Sequence, residues 1–204
     1  MTLVRQNAQT MWRTFVVLAT LGCACAQRRC KLGHVRRSDG SFLLGGCDEL
    51  LLHGEKIGDD GAVALAKELG TDRNLKLLDL WSNGIGPAGA GALATALASN
   101  TVLQKLYLNE NAIGPEGAAS MAKAITTNRV LQSLWLSRNA IGDQGAESLA
   151  AALPSARRLE ALDLWGNGIT ARGGTAIATA LHSNRVLRTL EMRDNGELDD
   201  APNL

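Results

Sequence analysis

Aromatic side chains are scarce in this sequence of 204 residues, which contains four Trp, one Tyr, two Phe and only four Pro. A hydrophobic core must therefore be built from Leu, Ile, Val and Ala, which suits a regular architecture of small repeated layers. Charged residues make up only 20% of the chain, and the formal net charge is +1. This composition is typical of a globular protein and excludes a disordered chain and a strongly basic nucleic-acid-binding chain.

Residues that carry catalysis or bind metals are also sparse. The three histidines, His34, His53 and His182, have no companion at a metal-ligand spacing. No Ser or Cys lies in a nucleophile motif, and there is no phosphate-binding loop of the Walker type. The sequence therefore predicts no enzyme, no metal site and no cofactor.

No acidic residue precedes Asp39, and residues 1–46 contain seven Lys and Arg. Arg5 and Arg13 precede an apolar run over 14–21, and small residues follow at 24–26. This order is typical of a secretory signal peptide, which we predict over residues 1–26, and the run is too short to cross a bilayer as a helix. A cytoplasmic or mitochondrial chain is the alternative, because arginines recur after the run.

Residues 27–46 form a basic flank whose five Lys and Arg lie between Arg28 and Arg37. Because no aromatic residues alternate with these bases, we interpret them as solvated and expect no nucleic-acid partner. Cys30 and Cys47 could form a disulfide in an oxidising compartment. Cys47 also occupies a slot that holds a core leucine in later repeats, which favours a small buried apolar residue there.

Leucines recur every 28 residues, and four of them open the full phrase Leu-x-x-Leu-x-Leu-x-x-Asn-x-Ile, while the last copy has Met192 and loses the pattern at Glu197. The opening leucines are Leu75, Leu103, Leu131, Leu159 and Leu187. A weaker copy begins at Cys47, has Glu55 in place of Asn, and is interpreted as an N-terminal cap. The sequence thus predicts about six repeats over residues 47–195, followed by an acidic tail over 196–204 in which no C-terminal cap is recognisable.

Each repeat divides into a strand and a helix. The Leu-x-Leu segment has the period of a strand, and the following segment has apolar residues at helical spacing, as at Ala90, Leu93, Ala94 and Leu97. We predict an α/β fold, a curved solenoid of right-handed strand–helix units with a parallel sheet on its concave face.

An asparagine follows each strand, where the chain turns and leaves backbone polar groups inside the molecule. A buried Asn in each layer can satisfy those groups. The predicted structural ladder comprises Asn83, Asn111, Asn139, Asn167 and Asn195.

The repeated phrase resembles the leucine-rich repeats of ribonuclease-inhibitor type. The uniform 28-residue length and the Asn-x-Ile-Gly-x-x-Gly-Ala ending of residues 111–118 are most similar to the C-terminal repeats of NOD-like receptors, and Ran GTPase-activating protein has similar repeats. The resemblance covers residues 47–195 and implies a solenoid fold. It includes no nucleotide-binding or effector domain.

Gly84, Gly86 and Gly89 match the dinucleotide-binding fingerprint. The repeat removes this interpretation, because the slots of Gly86 and Gly89 recur as glycines in the next two copies. We expect these glycines to serve the strand-to-helix turn.

The third, fifth and seventh positions of each phrase are predicted to point onto the concave face. Four of the five aromatic residues after position 26 fall in these positions, as do four acids and two bases. The predicted partner-binding residues are Trp81, Tyr107, Trp135, Trp165, Asp79, Asp163 and Glu191. Packing of these rings against neighbouring strands is the structural alternative.

The sequence therefore predicts a non-catalytic module that recognises a protein or peptide partner carrying basic groups, without a transmembrane segment. Two alternatives remain at this point. The chain could be a sensor or regulatory fragment of a larger NOD-like receptor, or a regulator of the GTPase-activating type.

Overall fold

The computed structural model of the chain describes residues 28–196. Its strands form one parallel sheet whose spatial order follows the chain. They are β1 (Arg29–Cys30), β2 (Glu49–Leu51), β3 (Leu77–Asp79), β4 (Lys105–Tyr107), β5 (Ser133–Trp135), β6 (Ala161–Asp163) and β7 (Thr189–Glu191). Strands β2 to β7 correspond to the six predicted copies. The predicted signal peptide over 1–26 and all but the first residue of the tail over 196–204 lie outside the described residues.

A helix follows each of the strands β1 to β6, directly or after a turn, and the helices form the second layer. They are α1 (Leu32–Val35), α2 (Gly58–Leu69), α3 (Pro87–Ser99), α4 (Gly114–Thr127), α5 (Gly142–Ala152) and α6 (Ala171–Leu181), with a short 3₁₀ turn at Leu153–Ser155. From α2 onward each helix packs against the next. The predicted α/β strand–helix solenoid is confirmed. Within residues 28–196, no helix is long and apolar enough to cross a membrane.

The core lies between the two layers and is built from the central leucine of each strand from β2 onward and from small residues of the helices. Leu78, Leu106 and Leu134 pair in register across β3, β4 and β5, and each is fully buried. Ala90 and Ala118 face them from the helices, also fully buried. Each buried leucine contributes about 1.5–3 kcal/mol, so the repeated leucines dominate the stability of the solenoid.

The glycines that mimic a dinucleotide fingerprint serve packing and capping. A Cβ atom on Gly89 would lie 2.8 Å from Cβ of Ala62 in the preceding helix, which leaves no room for a side chain. The backbone N–H groups of Gly86 and Gly89 donate to Oδ1 of Asp59 at 2.7 and 2.8 Å. A carboxylate of the neighbouring repeat therefore occupies the helix N-terminus where a pyrophosphate would bind.

Asp143 of α5 makes the same inter-repeat cap three repeats later, at the N-terminus of α6. It accepts hydrogen bonds from the Thr170 hydroxyl and from the backbone N–H groups of Thr170 and Gly173, at 2.7–3.0 Å. These bonds, led by the one from the Thr170 hydroxyl, lower the pKa of Asp143 below its ordinary value of 3.8.

The asparagines after the strands join each repeat to its neighbours. Each Nδ2 donates to a leucine carbonyl of the preceding repeat at 2.8–3.0 Å. Each Oδ1 accepts from an isoleucine N–H of that repeat at 2.9–3.4 Å. The ladder consists of Asn83, Asn111, Asn139, Asn167 and Asn195, as the sequence positions them.

A second set of asparagines, which the sequence analysis did not identify, lies before the strands. Asn100, Asn128 and Asn184 each accept two backbone N–H bonds through Oδ1 and donate through Nδ2 to a leucine carbonyl of the preceding helix region. Ala156 takes this place in one repeat, after the 3₁₀ turn. The solenoid is therefore linked by polar contacts at both ends of its strands.

The basic flank is part of the folded unit and covers the first repeat. Strand β1 pairs with β2, and Cys30 forms a disulfide with Cys47. Phe42 and Leu44 of the flank are 1% and 2% exposed and join the core. The flank, rather than the copy beginning at Cys47, therefore closes this end of the core.

Candidate binding surface

The concave face is defined here as the side chains at the third, fifth and seventh positions of each repeat. In β3 to β6 the central leucine is buried while its two neighbours are at least partly exposed, as alternation along a strand requires. Trp81 is 40% exposed and Trp135 is 39% exposed, and Tyr107 and Trp165 are half-buried. These four aromatic rings therefore lie outside the core.

Tyr107 and Trp135 form a stacked pair at the centre of the concave face. They are register partners on β4 and β5, with ring centroids 4.3 Å apart and planes inclined by 23°. Burial raises the pKa of the Tyr107 hydroxyl, and the negative charges of Asp79 and Glu49 raise it further. The phenol therefore remains protonated at neutral pH and can donate a hydrogen bond.

The other two rings have separate supports. Trp81 contacts His53 of the preceding repeat edge-to-face, at 4.4 Å between centroids. The guanidinium of Arg138 lies over Trp165, 4.3 Å from the ring centroid, and also reaches Glu110 at 3.5 Å. The packing alternative thus describes part of the arrangement, because each ring contacts a neighbouring repeat.

Two of the predicted acids have a local role at the ends of their strands. Asp79 accepts the N–H of Trp81 and Asp163 accepts the N–H of Trp165, each at 3.0 Å. Nδ2 of Asn109 lies 3.3 Å from the second oxygen of Asp163. Both carboxylates are therefore held in fixed orientations.

The other two acids of the concave face are paired with arginines. Glu49 binds Arg29 at 2.6 Å, and Glu191 receives two hydrogen bonds of 2.8 Å from Arg193. The bonds from Arg193 lower the pKa of Glu191. Among the described residues, Asp79 and Asp163 form no ion pair, so they carry the uncompensated negative charge of this face.

A hollow of about 440 Å³ lies beside the stacked pair, and we call it the β4–β7 hollow. The third positions of the repeats that contain β5, β6 and β7 hold the small residues Ser133, Ala161 and Thr189, which leave this space open. Its lining comprises Lys105, Tyr107, Ser133, Trp135, Ala161, Leu162, Asp163, Thr189 and Glu191. The sequence analysis selected the aromatic and acidic members but missed the small ones and Lys105, although all four occupy concave positions that the repeat defines.

Asn109 and Ser137, each at the seventh position of its repeat, form a polar contact on the concave face. Nδ2 of Asn109 donates to Oγ of Ser137 at 2.5 Å, while Oδ1 of Asn109 is buried without a hydrogen-bond partner in the described part of the chain.

Over residues 28–196, no group of three or more His, Cys, Asp or Glu side chains could hold a metal ion. The chemistry available on this face is therefore aromatic stacking, ion pairing and hydrogen bonding.

Comparison with protein families finds the leucine-rich repeat model at residues 71–94, 99–122, 127–150 and 157–178. Among solved structures, a chain described as leiomodin-1 actin-binding site 2 matches with a TM-score of 0.59 and 20% identity, covering 68% of this chain and 80% of that one. It is one of 59 matching chains, and at this identity the similarity shows the fold alone. No curated protein matches the chain.

Proposed function

We propose that this chain, whose repeats are leucine-rich repeats, is a non-catalytic module that binds a protein or peptide partner on its concave face. The observation that carries the proposal is the Tyr107–Trp135 stack, which exposes aromatic surface at the centre of the sheet. Trp and Tyr dominate the binding energy of protein interfaces, since they bury a large area at a small entropic cost.

The charges beside the stack favour a partner with basic groups. Asp79 is the register partner of Tyr107, and Asp163 is the register partner of Trp135. The fifth position of four successive repeats, on β3 to β6, thus holds an acid, two aromatic residues and a second acid. The two acids are three strand spacings apart, about 14 Å at the backbone. Arg or Lys side chains of a partner can pair with these carboxylates and stack on the rings.

The matching solved structure gives a precedent for this use of the fold. The leiomodin-1 chain is described as an actin-binding site, so a chain of similar fold binds a protein. At 20% identity this precedent supports protein binding in general and does not select actin.

We also propose that the repeats are of the ribonuclease-inhibitor type and most like those of NOD-like receptors. The constant 28-residue spacing and a helix of 11–14 residues in each of five repeats support this assignment.

Secretion is the localisation that we propose. The basic, apolar and small segments of residues 1–26 support it, and so does the disulfide between Cys30 and Cys47, because disulfides persist in oxidising compartments. N-terminal sequencing of protein from a secreting host is expected to begin at Gln27. An intact Met1 on the secreted protein would contradict the proposal.

The binding proposal is tested with the full chain as bait in a quantitative capture experiment. The double variant Trp81→Ala/Trp135→Ala is expected to lose the specifically captured partner by at least about tenfold, because both rings contribute exposed contact area. Its circular dichroism should match that of the native chain, since neither ring lies in the core.

Leu43→Ala is the matched control, because Leu43 is 49% exposed but belongs to the flank and occupies none of the concave positions of the repeats. This variant is expected to capture the same partner at the native level. Equal capture by the native chain and the double tryptophan variant would refute binding on the concave face.

A further inference from the structure

The β4–β7 hollow, with a volume of about 440 Å³, has room for an extended side chain of a partner. Its base is formed by the small residues Ser133, Ala161 and Thr189, one on each of three neighbouring strands. Tyr107 and Trp135 line it from β4 and β5, and Asp163 lines it from β6 beside Trp135. An extended, partly apolar side chain can therefore lie over the small residues against the indole.

The carboxylate of Asp163 can receive a cation at this wall. The Trp165 N–H and the Asn109 amide orient it, but a carboxylate has about four acceptor positions and so retains free ones. Glu191 is less available, because Arg193 binds both of its oxygens. A planar guanidinium suits this arrangement better than an ammonium group, since it can stack on Trp135 and donate to Asp163 at once.

The opposite end of the hollow is positively charged. Lys105 is exposed and forms no ion pair with any residue from 28 to 196. It lies on β4, two strands from Asp163 on β6 and two residues away along the strand direction, which corresponds to about 12 Å at the backbone. The hollow thus offers one uncompensated carboxylate and one uncompensated ammonium group, so a purely cationic ligand would satisfy only half of it.

We propose that the β4–β7 hollow binds an arginine side chain of the partner together with a carboxylate that follows it closely. The guanidinium stacks on Trp135 and pairs with Asp163, and the carboxylate pairs with Lys105. The carboxylate is either the α-carboxylate of a C-terminal arginine or the side chain of a nearby Asp or Glu. This inference rests on the proposed function, because it assigns the chemistry of the partner on the same face.

Synthetic peptides test the assignment, with quenching of tryptophan fluorescence of the full chain as the readout. The probes are acetyl-Gly-Gly-Arg with a free carboxylate, the same peptide as an amide, acetyl-Arg-Gly-Glu amide, and citrulline analogues of the first and third. Citrulline keeps the shape of arginine without its charge, so it is expected to weaken binding about tenfold. Loss of the carboxylate is expected to weaken binding about three- to fivefold, as for an exposed ion pair.

Single variants locate the two charges. Asp163→Asn keeps an acceptor for the Trp165 N–H and is expected to weaken binding of the arginine peptides about tenfold. Lys105→Gln is expected to abolish the difference between the free acid and the amide. Glu160→Gln is the control, because Glu160 precedes β6 outside the hollow, and its affinity should equal that of the native chain.

Every outcome of the peptide series bears on the assignment. Tighter binding of the free acid or of the glutamate peptide supports it and identifies the source of the carboxylate. Equal binding of arginine and citrulline peptides, equal binding of the free acid, the amide and the glutamate peptide, an unchanged affinity in Asp163→Asn, or no binding of any peptide overturns it. If no peptide binds while the double tryptophan variant still loses its captured partner, the proposed function stands and the arginine assignment fails.

Discussion

Asn139→Ala removes the most deeply buried member of the asparagine ladder. The residue is fully buried. Its Nδ2 donates to the carbonyls of Leu108, Leu136 and Ser137 at 2.8–3.0 Å, and its Oδ1 accepts the Ile113 N–H at 3.3 Å. Each of these contacts either joins two repeats or fixes the turn after β5.

The groups left behind by this substitution are not equally affected. All three carbonyls keep a second donor. The Leu108 carbonyl keeps the Asn111 side-chain amide, the Leu136 carbonyl keeps the Asn167 side-chain amide, and the Ser137 carbonyl keeps the Glu110 N–H. The Ile113 N–H loses the only acceptor that it has in the described structure. An orphaned buried donor costs about 1–3 kcal/mol, and the weakened carbonyl contacts add to this. We therefore expect the free energy of unfolding to fall by about 2–3 kcal/mol.

Urea denaturation of Asn139→Ala and Asn195→Ala, followed by circular dichroism, measures this difference. Asn195 makes equivalent bonds but is half-buried, so water can replace part of what it supplies. We expect Asn195→Ala to cost about 1 kcal/mol or less. Equal losses in the two variants, or a loss below about 0.5 kcal/mol for Asn139→Ala, would refute the reasoning from burial and orphaned groups.

Three further predictions concern the caps and the helix packing. Replacing both cysteines of the disulfide with serine is expected to lower the free energy of unfolding by about 3 kcal/mol for a loop of this length, and reductant should then have no further effect on urea denaturation. Gly89→Ala should destabilise the chain by about 1–3 kcal/mol through overpacking. Gly91→Ala in the same helix should stabilise it by about 0.5–1 kcal/mol, because an added Cβ would meet only Oγ of Ser120 at 3.8 Å, an ordinary contact distance. Similar values for the two variants in thermal unfolding would contradict this contrast. Because folding lowers the pKa of Asp143, its stabilising effect is complete above the unfolded value near 3.8 and is lost as the pH falls through the folded value. The stability difference between the native chain and Asp143→Asn should therefore shrink on acidification, and a difference that grows would contradict the assigned hydrogen bonds.

The sequence predicts those features that repeat at constant spacing. Since the 28-residue period equals the register shift between strands, it predicts that Tyr107 and Trp135 are neighbours, as the pairing of β4 with β5 shows. The same period could have revealed the second set of asparagines, because Asn100, Asn128 and Asn184 follow it. The flank could not be predicted in this way, because β1 has only two residues and no periodic pattern.

Pairings between different positions of the repeat also lie beyond the sequence pattern. Arg138 lies over Trp165 from a turn in which its φ is 52°, a direction that strand alternation does not describe. Arg193 pairs with Glu191 and neutralises its charge. The concave face therefore has fewer unpaired acids than a count of its acidic residues from the sequence would give. Such contacts depend on local backbone geometry, which the order of apolar residues does not determine.

Hydroxyl-radical footprinting of the full chain, with and without its captured partner, tests the central claim most directly. Mass spectrometry reports the oxidation of Tyr107 and Trp135 residue by residue, and exposed Leu43 on the flank serves as the internal reference. Binding on the concave face predicts that the oxidation of both rings falls several-fold while that of Leu43 stays constant. Unchanged oxidation of both rings in the complex would contradict it.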